Sequence, residues 1–459
     1  MMMSMERNGN NMKKLFWIIV CLAVNAGFLF AGEIPAKPQD HPIALVGGTI
    51  HTVSGAIIEN GTILFDKGKI VAIGTTVDLP AGTEKIDVHG KHIYPGFVDA
   101  RTNIGLTEIG AVRATNDIAE VGSINPNIRA EVAVNPESEL IPVTRANGIT
   151  TAITMPAGGT ISGTAAAISM DGWTWDEMTL RAPVGMVLNW PSMVINKAWW
   201  EQRSEEDQKK ARESALEEIR NAITDARAYL KAKHSETKEN ISRHKTDIRW
   251  EAMEPVLDGK IPVLVNADEI QQIQSAVAWG QREHLKIVIL GGYDAWRVAD
   301  LLKANNVPVI VGPVHQVPWR SWEEYDAPFT LAKKLFDAGV KFCIAQDDGA
   351  SNERNLPYNA ATAASYGLPK EEALKSITLY AAQIMGIDDR VGSLEIGKDA
   401  TLIVTSGDPL ETMNAVTMEF IQGKNISLES RHTHLYEKYK ERYRRLGTGE
   451  KKEGAGGRQ

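Results

Sequence analysis

The sequence predicts an α/β fold: a parallel sheet of βα units the size of a (β/α)8 TIM-type barrel, joined to a small β module built from both chain ends. Three observations predict it. Apolar, β-branched runs alternate with helical patterns through residues 95–391, and turn-punctuated β patches flank that region on both sides. The length of 459 residues fits one barrel of roughly 250 residues plus a companion module.

In chain order, the N-terminal β patch runs through 43–46, 49–53, 62–65 and 70–73, separated by the turn signals Gly47-Gly48, Asn60-Gly61 and Asp66-Lys67-Gly68. A second patch follows Gly392, at 400–404 and 418–421, before Gly423-Lys424. Residues 42–94 and 392–428 are therefore expected to fold together as an accessory β-sandwich. Between them, strands are expected at 96–100, 149–155, 183–188, 261–265, 287–290, 307–311 and 341–345. An eight-strand barrel needs one more. The fourth is the strand without a candidate, because a long helix from Ser204 through Leu230 stands where it should lie. Ser204 and Asp207 have capping spacing, and Leu216, Ile219, Ile223, Ala226 and Leu230 form one apolar stripe, which makes this helix an outer layer.

The ends of the chain differ from its body. Lys13 and Lys14 precede an apolar run at 15–24 that continues weakly to Ala31, the pattern of a signal peptide over 1–31 cut after Ala31 or Gly32. The mature protein is then periplasmic or secreted. Removal of Cys21 leaves Cys343 alone, so stability must come from packing rather than an internal disulfide. Residues 439–459 are charged and then Gly-rich, and are expected to be disordered. A net charge of −8 and a pI near 5.8 give no general attraction to phosphate backbones or anionic bilayers. Nucleic acid and, once the signal is removed, membrane are not expected partners.

Several segments, in order, resemble the amidohydrolase superfamily and its imidazolonepropionase-like branch. They are Tyr94-Pro95-Gly96-Phe97-Val98-Asp99-Ala100, Asn147-Gly148-Ile149-Thr150-Thr151, Ile261-Pro262-Val263, Ile344-Ala345-Gln346-Asp347, and the stretch from Gly392 to Ala400. The resemblance implies an amidohydrolase-type barrel that hydrolyses non-peptide or short-peptide carbon–nitrogen bonds with a divalent metal, usually zinc. It also implies where the ligands would stand: His-x-His after the first strand, His after the fifth and sixth, and Asp after the eighth, at the C-terminal mouth. Here those positions hold Arg101, Thr102 and Asn103, then Asn266, then Gly291, with only Asp347 kept and Asp348 beside it.

Catalytic zinc needs three protein ligands of imidazole, thiolate or carboxylate type plus an open water position. Asp347 is the one catalytic candidate, the acid that would move the proton, and the one metal ligand if any is bound. Arg101, Asn103, Asn266 and Gly291 are expected to line the pocket at replaced ligand positions, with zinc implied by the family but not supported by them. Asn103, Asn266, Asp347 and Asp348 could alternatively form an all-oxygen calcium or magnesium site, although such clusters are more often hydrogen-bonded pockets. The Arg101 guanidinium is expected to pair with Asp347, and breaking a buried pair from one side costs roughly 3 to 5 kcal/mol. His315, Asp348 and Arg354 are possible substrate contacts, as are Asn352 and Glu353 beside Arg354 after the eighth strand, with packing or solvated-loop roles as the alternatives. His432 and His434 fall after the barrel, where a surface role is expected. Trp190, Trp199, Trp200, Trp319 and Trp322 cluster near strand ends, either clamping a ligand or packing. Two functions follow: a hydrolase of carbon–nitrogen bonds with an impaired or absent metal site, or a non-catalytic relative. The latter would bind a small molecule or act as the structural partner of a homologous active subunit or of its own copies.

Overall fold

The computed structural model describes residues 34–239, 245–347 and 349–447, so the expected signal peptide, Asp348 and the extreme C-terminus lie outside the described residues. The first sheet takes strands from both chain ends: β1 (Ile43–His51), β2 (Ile57–Asp66), β3 (Lys69–Gly74), β4 (Glu84–Asp87) and β5 (His92–Pro95) precede the barrel. β14 (Leu402–Thr405), β15 (Val416–Ile421) and β16 (Lys424–Ile426) follow it. Its order is β16-β15-β14-β5-β1-β2-β3, with β4 on β1, and it is mixed because β4 and β5 run parallel to β1. Leu45, Ile63, Phe65, Leu402 and Phe420 fill its core, and the rings of Phe65 and Phe420 meet edge to face at 5.1 Å.

Gly47-Gly48 and Asn60-Gly61 are not turns. Both lie inside strands, opposite one another, where Gly48 pairs with Gly61 between register shifts. Gly47 (φ 83°) and Asn60 (φ 48°) adopt the left-handed backbone of a bulge, so the apolar alternation continues through them. A Cβ on Gly61 would come within 2.6 Å of Ile50 Cδ1, so a side chain there would push that methyl aside.

The barrel comprises β6 (Phe97–Thr102), β7 (Ile149–Thr154), β8 (Ile161–Ser169), β9 (Thr179–Asn189), β10 (Val263–Ala267), β11 (Ile287–Gly291), β12 (Val309–Val311) and β13 (Phe342–Ile344), paired in that order. The missing strand is β8, the third and not the fourth; the run at 183–188 belongs to β9, which occupies the fourth place. β8 runs antiparallel to both neighbours, so β7, β8 and β9 form a meander inside an otherwise parallel sheet. Every residue of β7 and β8 is buried. Such strands read as continuous apolar or small runs without alternation.

The helix Glu205–Glu239 starts where its cap predicts, with Ser204 Oγ accepting from Asp207 N–H at 3.0 Å, and extends past Leu230. Ile219, Ile223 and Ala226 pack into the barrel core, and Leu230 is buried beyond them. Further helices cover the later strands, among them Ile270–Arg282 between β10 and β11 and Leu331–Ala338 between β12 and β13. The C-terminal segment is helical over Arg431–Arg445, which corrects the disorder expected for residues 439–445. Ser430 and Thr433 cap it reciprocally, a signal outweighed in the sequence by the charged composition around it. Among the described residues no helix is long and apolar enough to cross a membrane, and Cys343 is a free, buried thiol.

Candidate functional site

The C-terminal strand ends converge on a cavity of about 120 Å³. Arg101, Asn103, Asn266, Gln346 and Asp347 supply its polar lining, with Met155, Pro156 and Val187 as apolar wall. Arg101 is the next-to-last residue of β6, and its guanidinium lies 2.9 Å from Asp347 Oδ2, the two side chains being 19% and 33% exposed. That ion pair fills the space between the first and eighth strands. Asn266 on β10 donates to Asn189 Oδ1 at the end of β9 at 2.6 Å, and Asn189 donates to Gly159 O at 2.8 Å. The fourth strand therefore ends in an amide and carries no lysine there.

Beneath the cavity, the seam between β6 and β13 is held by side chains. Asp99 accepts from Arg101 N–H at 3.0 Å and from Gln346 N–H at 2.9 Å. Thr102 Oγ1 donates to Glu353 Oε2 at 2.6 Å, and Asn103 Oδ1 accepts from Ala350 N–H at 3.2 Å. Asp99 and Glu353 are fully buried next to each other, and no ordinary donor reaches Glu353 Oε1. Two such carboxyls hold a proton between them. Burial pushes Asp99 up to about 6; burial and the adjacent Asp99 push Glu353 well above the usual carboxylate range.

Gly291 does not line the cavity. A Cβ there would lie 2.3 Å from Asp268 Oδ1, and the backbone at φ 89° itself disfavours a side chain. The sixth-strand position is empty because the Asp268 carboxylate fills it, held by Tyr293 N–H at 3.2 Å. Burial raises the pKa of Asp268 against the lowering effects of that bond and of Arg101.

The remaining candidates lie elsewhere. His315 is exposed and bonds Thr362 Oγ1 at 2.7 Å; Arg354 turns back onto Ser351 O at 2.8 Å. Neither lines the cavity, and Asp348 lies outside the described residues. Trp190 packs in the core against Trp279, Trp199 and Trp200 are exposed, Trp319 stacks on Tyr293, and Trp322 lies beside Arg297 and Arg320. His434 is exposed beside Glu429. Motif reading missed Asp99, Asn189 and Asp268 as parts of the mouth, and Glu353, whose default reading is a solvated loop, is fully buried. Asp268 had a local signal, two residues beyond Asn266, as Glu353 had in its place after the eighth strand.

Comparison with known proteins bears on the same region. The amidohydrolase family matches residues 92–426, which is most of the chain. The chain belongs to the amidohydrolase family. Its family is one of hydrolases acting on carbon–nitrogen bonds, and its relatives include imidazolonepropionases. That of Symbiobacterium thermophilum is 24% identical over 381 residues, covering 76% of this chain and 85% of the relative. Amidohydrolase tasK of Hapsidospora irregularis is 20% identical over 79% of this chain, which spans only 39% of that relative's length. Among solved structures, an amidohydrolase from Thermotoga maritima superposes with a TM-score of 0.75 at 27% identity, covering 84% of this chain and 99% of its own.

Proposed function

We propose that this amidohydrolase-family chain is an exported protein that binds a small amide-bearing molecule at the barrel mouth without metal-hydroxide chemistry. The observation that supports it is the Arg101–Asp347 ion pair. A guanidinium has no lone pair to offer a metal, and it occupies the retained acid with positive charge the metal would have supplied. Asn103 and Asn266 are neutral amides, Gly291 offers nothing, and among the described residues no three His, Cys, Asp or Glu side chains gather as a metal-binding group. The donor set thus does not fit zinc, and no step through a metal is derived. The cavity offers guanidinium and amide groups beside an apolar wall, and its volume of about 120 Å³ limits the occupant to a small group such as a planar amide. Export is proposed from Lys13, Lys14 and the apolar run after them.

Elemental analysis of the purified mature protein, paired with turnover assays across acyclic, cyclic and dipeptide amides, tests this reading. The expected result is less than a tenth of an equivalent of transition metal and no turnover. Stoichiometric zinc with hydrolysis would overturn it. N-terminal sequencing of protein recovered from the cell exterior or periplasm should begin near Gly32 or Glu33; recovery of an intact leader in the cytoplasm would refute export.

A further inference from the structure

We propose that the opposite, N-terminal end of the barrel is a second ligand site, one that takes a free amphipathic carboxylate. A cavity of about 590 Å³ opens there among the starts of β9, β10, β11 and β12 and the end of the helix Leu379–Ile384. That volume lies in the range of small-molecule sites, roughly 300 to 1,000 Å³. Its wall is mainly apolar, with Val184, Ile261, Ile287, Val307 and Met385 facing it, and the amides of Gln281, Asn305, Asn306 and Gln383 also line it.

Its charged rim has one sign. Arg181 stands on β9, Lys260 just before β10 and Lys286 just before β11. Val263 of β10 pairs with Met186 of β9 and Ile287 of β11, so the three cations stand on consecutive strands at one end of the sheet. No Asp or Glu is among the described residues that line the cavity. Arg181 is engaged by Asp389 at 2.7 Å and Lys260 by Asp258 at 2.9 Å, both acids lying outside the lining. Lys286 is exposed, and no acidic partner reaches its ammonium among the described residues. One uncompensated cation above an apolar hollow matches one carboxylate carried on a hydrocarbon body. A neutral molecule would gain nothing from Lys286, an amine would meet its like charge, and a nucleotide would bring more negative charge than the one uncompensated cation offsets.

Saturable binding of decanoate to the mature protein, measured by calorimetry, tests the site. Lys260→Glu with Lys286→Glu should weaken it at least tenfold, and Gln383→Trp, a plug from an exposed lining position, should abolish it. Melting temperatures should match the parent, since all three residues are exposed. Decylamine should not bind, and vesicles of phosphatidylglycerol should not retain the protein. Absence of saturable decanoate binding, equal affinity for decylamine, or indifference to the charge reversals would overturn the proposal; vesicle retention lost in the charge-reversed protein would replace it with a membrane contact. None of these outcomes depends on whether the mouth binds metal or hydrolyses amides.

Discussion

The two ends of the barrel treat charge in opposite ways. At the C-terminal end charged groups face each other: Arg101 against Asp347, Asp99 against Glu353, and Asp268 in the space left by Gly291. At the N-terminal end Arg181, Lys260 and Lys286 ring an open apolar hollow, with acids only outside it. The positions where the family places metal ligands have become a self-paired network in which each member depends on the next. The other end holds exposed charges whose removal leaves nothing stranded. Single substitutions should therefore be costly at one end and cheap at the other.

The largest effect should come from Gly291→His, which returns an imidazole to the sixth-strand position. Its Cβ meets Asp268 Oδ1 at 2.3 Å on a backbone at φ 89°, so a loss of about 4 kcal/mol and no gain of zinc are expected from urea denaturation and metal analysis. Wild-type stability would break the comparison at its strongest point. Pairing it with Asp268→Gly should recover part of the loss, leaving the backbone strain.

Glu353→Ala follows, at about 3 kcal/mol, because it strands buried Asp99 and Thr102; Glu353→Gln should stay within about 1 kcal/mol, since an amide can donate to Asp99 and accept from Thr102. The pair also sets a pH dependence. Asp99 has a folded pKa raised to about 6, above its unfolded value, so its contribution is complete below the ordinary carboxylate pKa and is lost as pH rises through about 6. Urea midpoints of the parent should fall between pH 5 and 7, and those of Asp99→Asn should stay flatter. A parent profile that rises over that interval would contradict a shared proton.

Arg101→His should cost less, about 1 to 2 kcal/mol, because the pair is partly exposed and water moderates the charge left on Asp347. The larger figure that applies to a fully buried pair does not apply here. Activity should not return, since one imidazole beside Asn103 and Asn266 still falls short of a three-ligand site. An unchanged melting temperature would show the ion pair to be incidental. At the other end, Lys260→Glu with Lys286→Glu should alter stability by no more than about 0.5 kcal/mol, which makes it the baseline for the other variants.

Much of the fold could be read from residue pattern, and the exceptions have physical causes. Seven barrel strands carry large or β-branched residues, whereas β8 is Ile-Ser-Gly-Thr-Ala-Ala-Ala-Ile-Ser, whose small side chains resemble a loop. They are small because neighbouring backbone lies close: a Cβ on Gly163 would sit 2.7 Å from Ile128 O. The bracketing Gly158-Gly159 and Asp171-Gly172 were the available signal. Gly47-Gly48 and Asn60-Gly61 have turn chemistry in either role, and only their mutual pairing distinguishes a bulge from a turn. At the site, Arg101, Asn103, Asn266 and Asp347 could be aligned by strand ends, so their meeting in one cavity was foreseeable. Asp268 and Glu353 could be placed near the mouth, but not seated in it, because what seats them is the absence of a side chain at Gly291 and the short helix Ala350–Asn355 after β13.

The meander of β7, β8 and β9 carries a consequence for how the chain reaches its native state. Its strands pair with near neighbours in sequence, so their contacts close short loops, while β9 must wait for β10 across more than seventy residues. Pulse-labelled hydrogen exchange during refolding should find the amides of 149–189 protected before those of β10 to β13. The barrel would then assemble outward from an antiparallel seed, and β6, whose partner β7 lies in that seed, would be the first of the flanking strands to join.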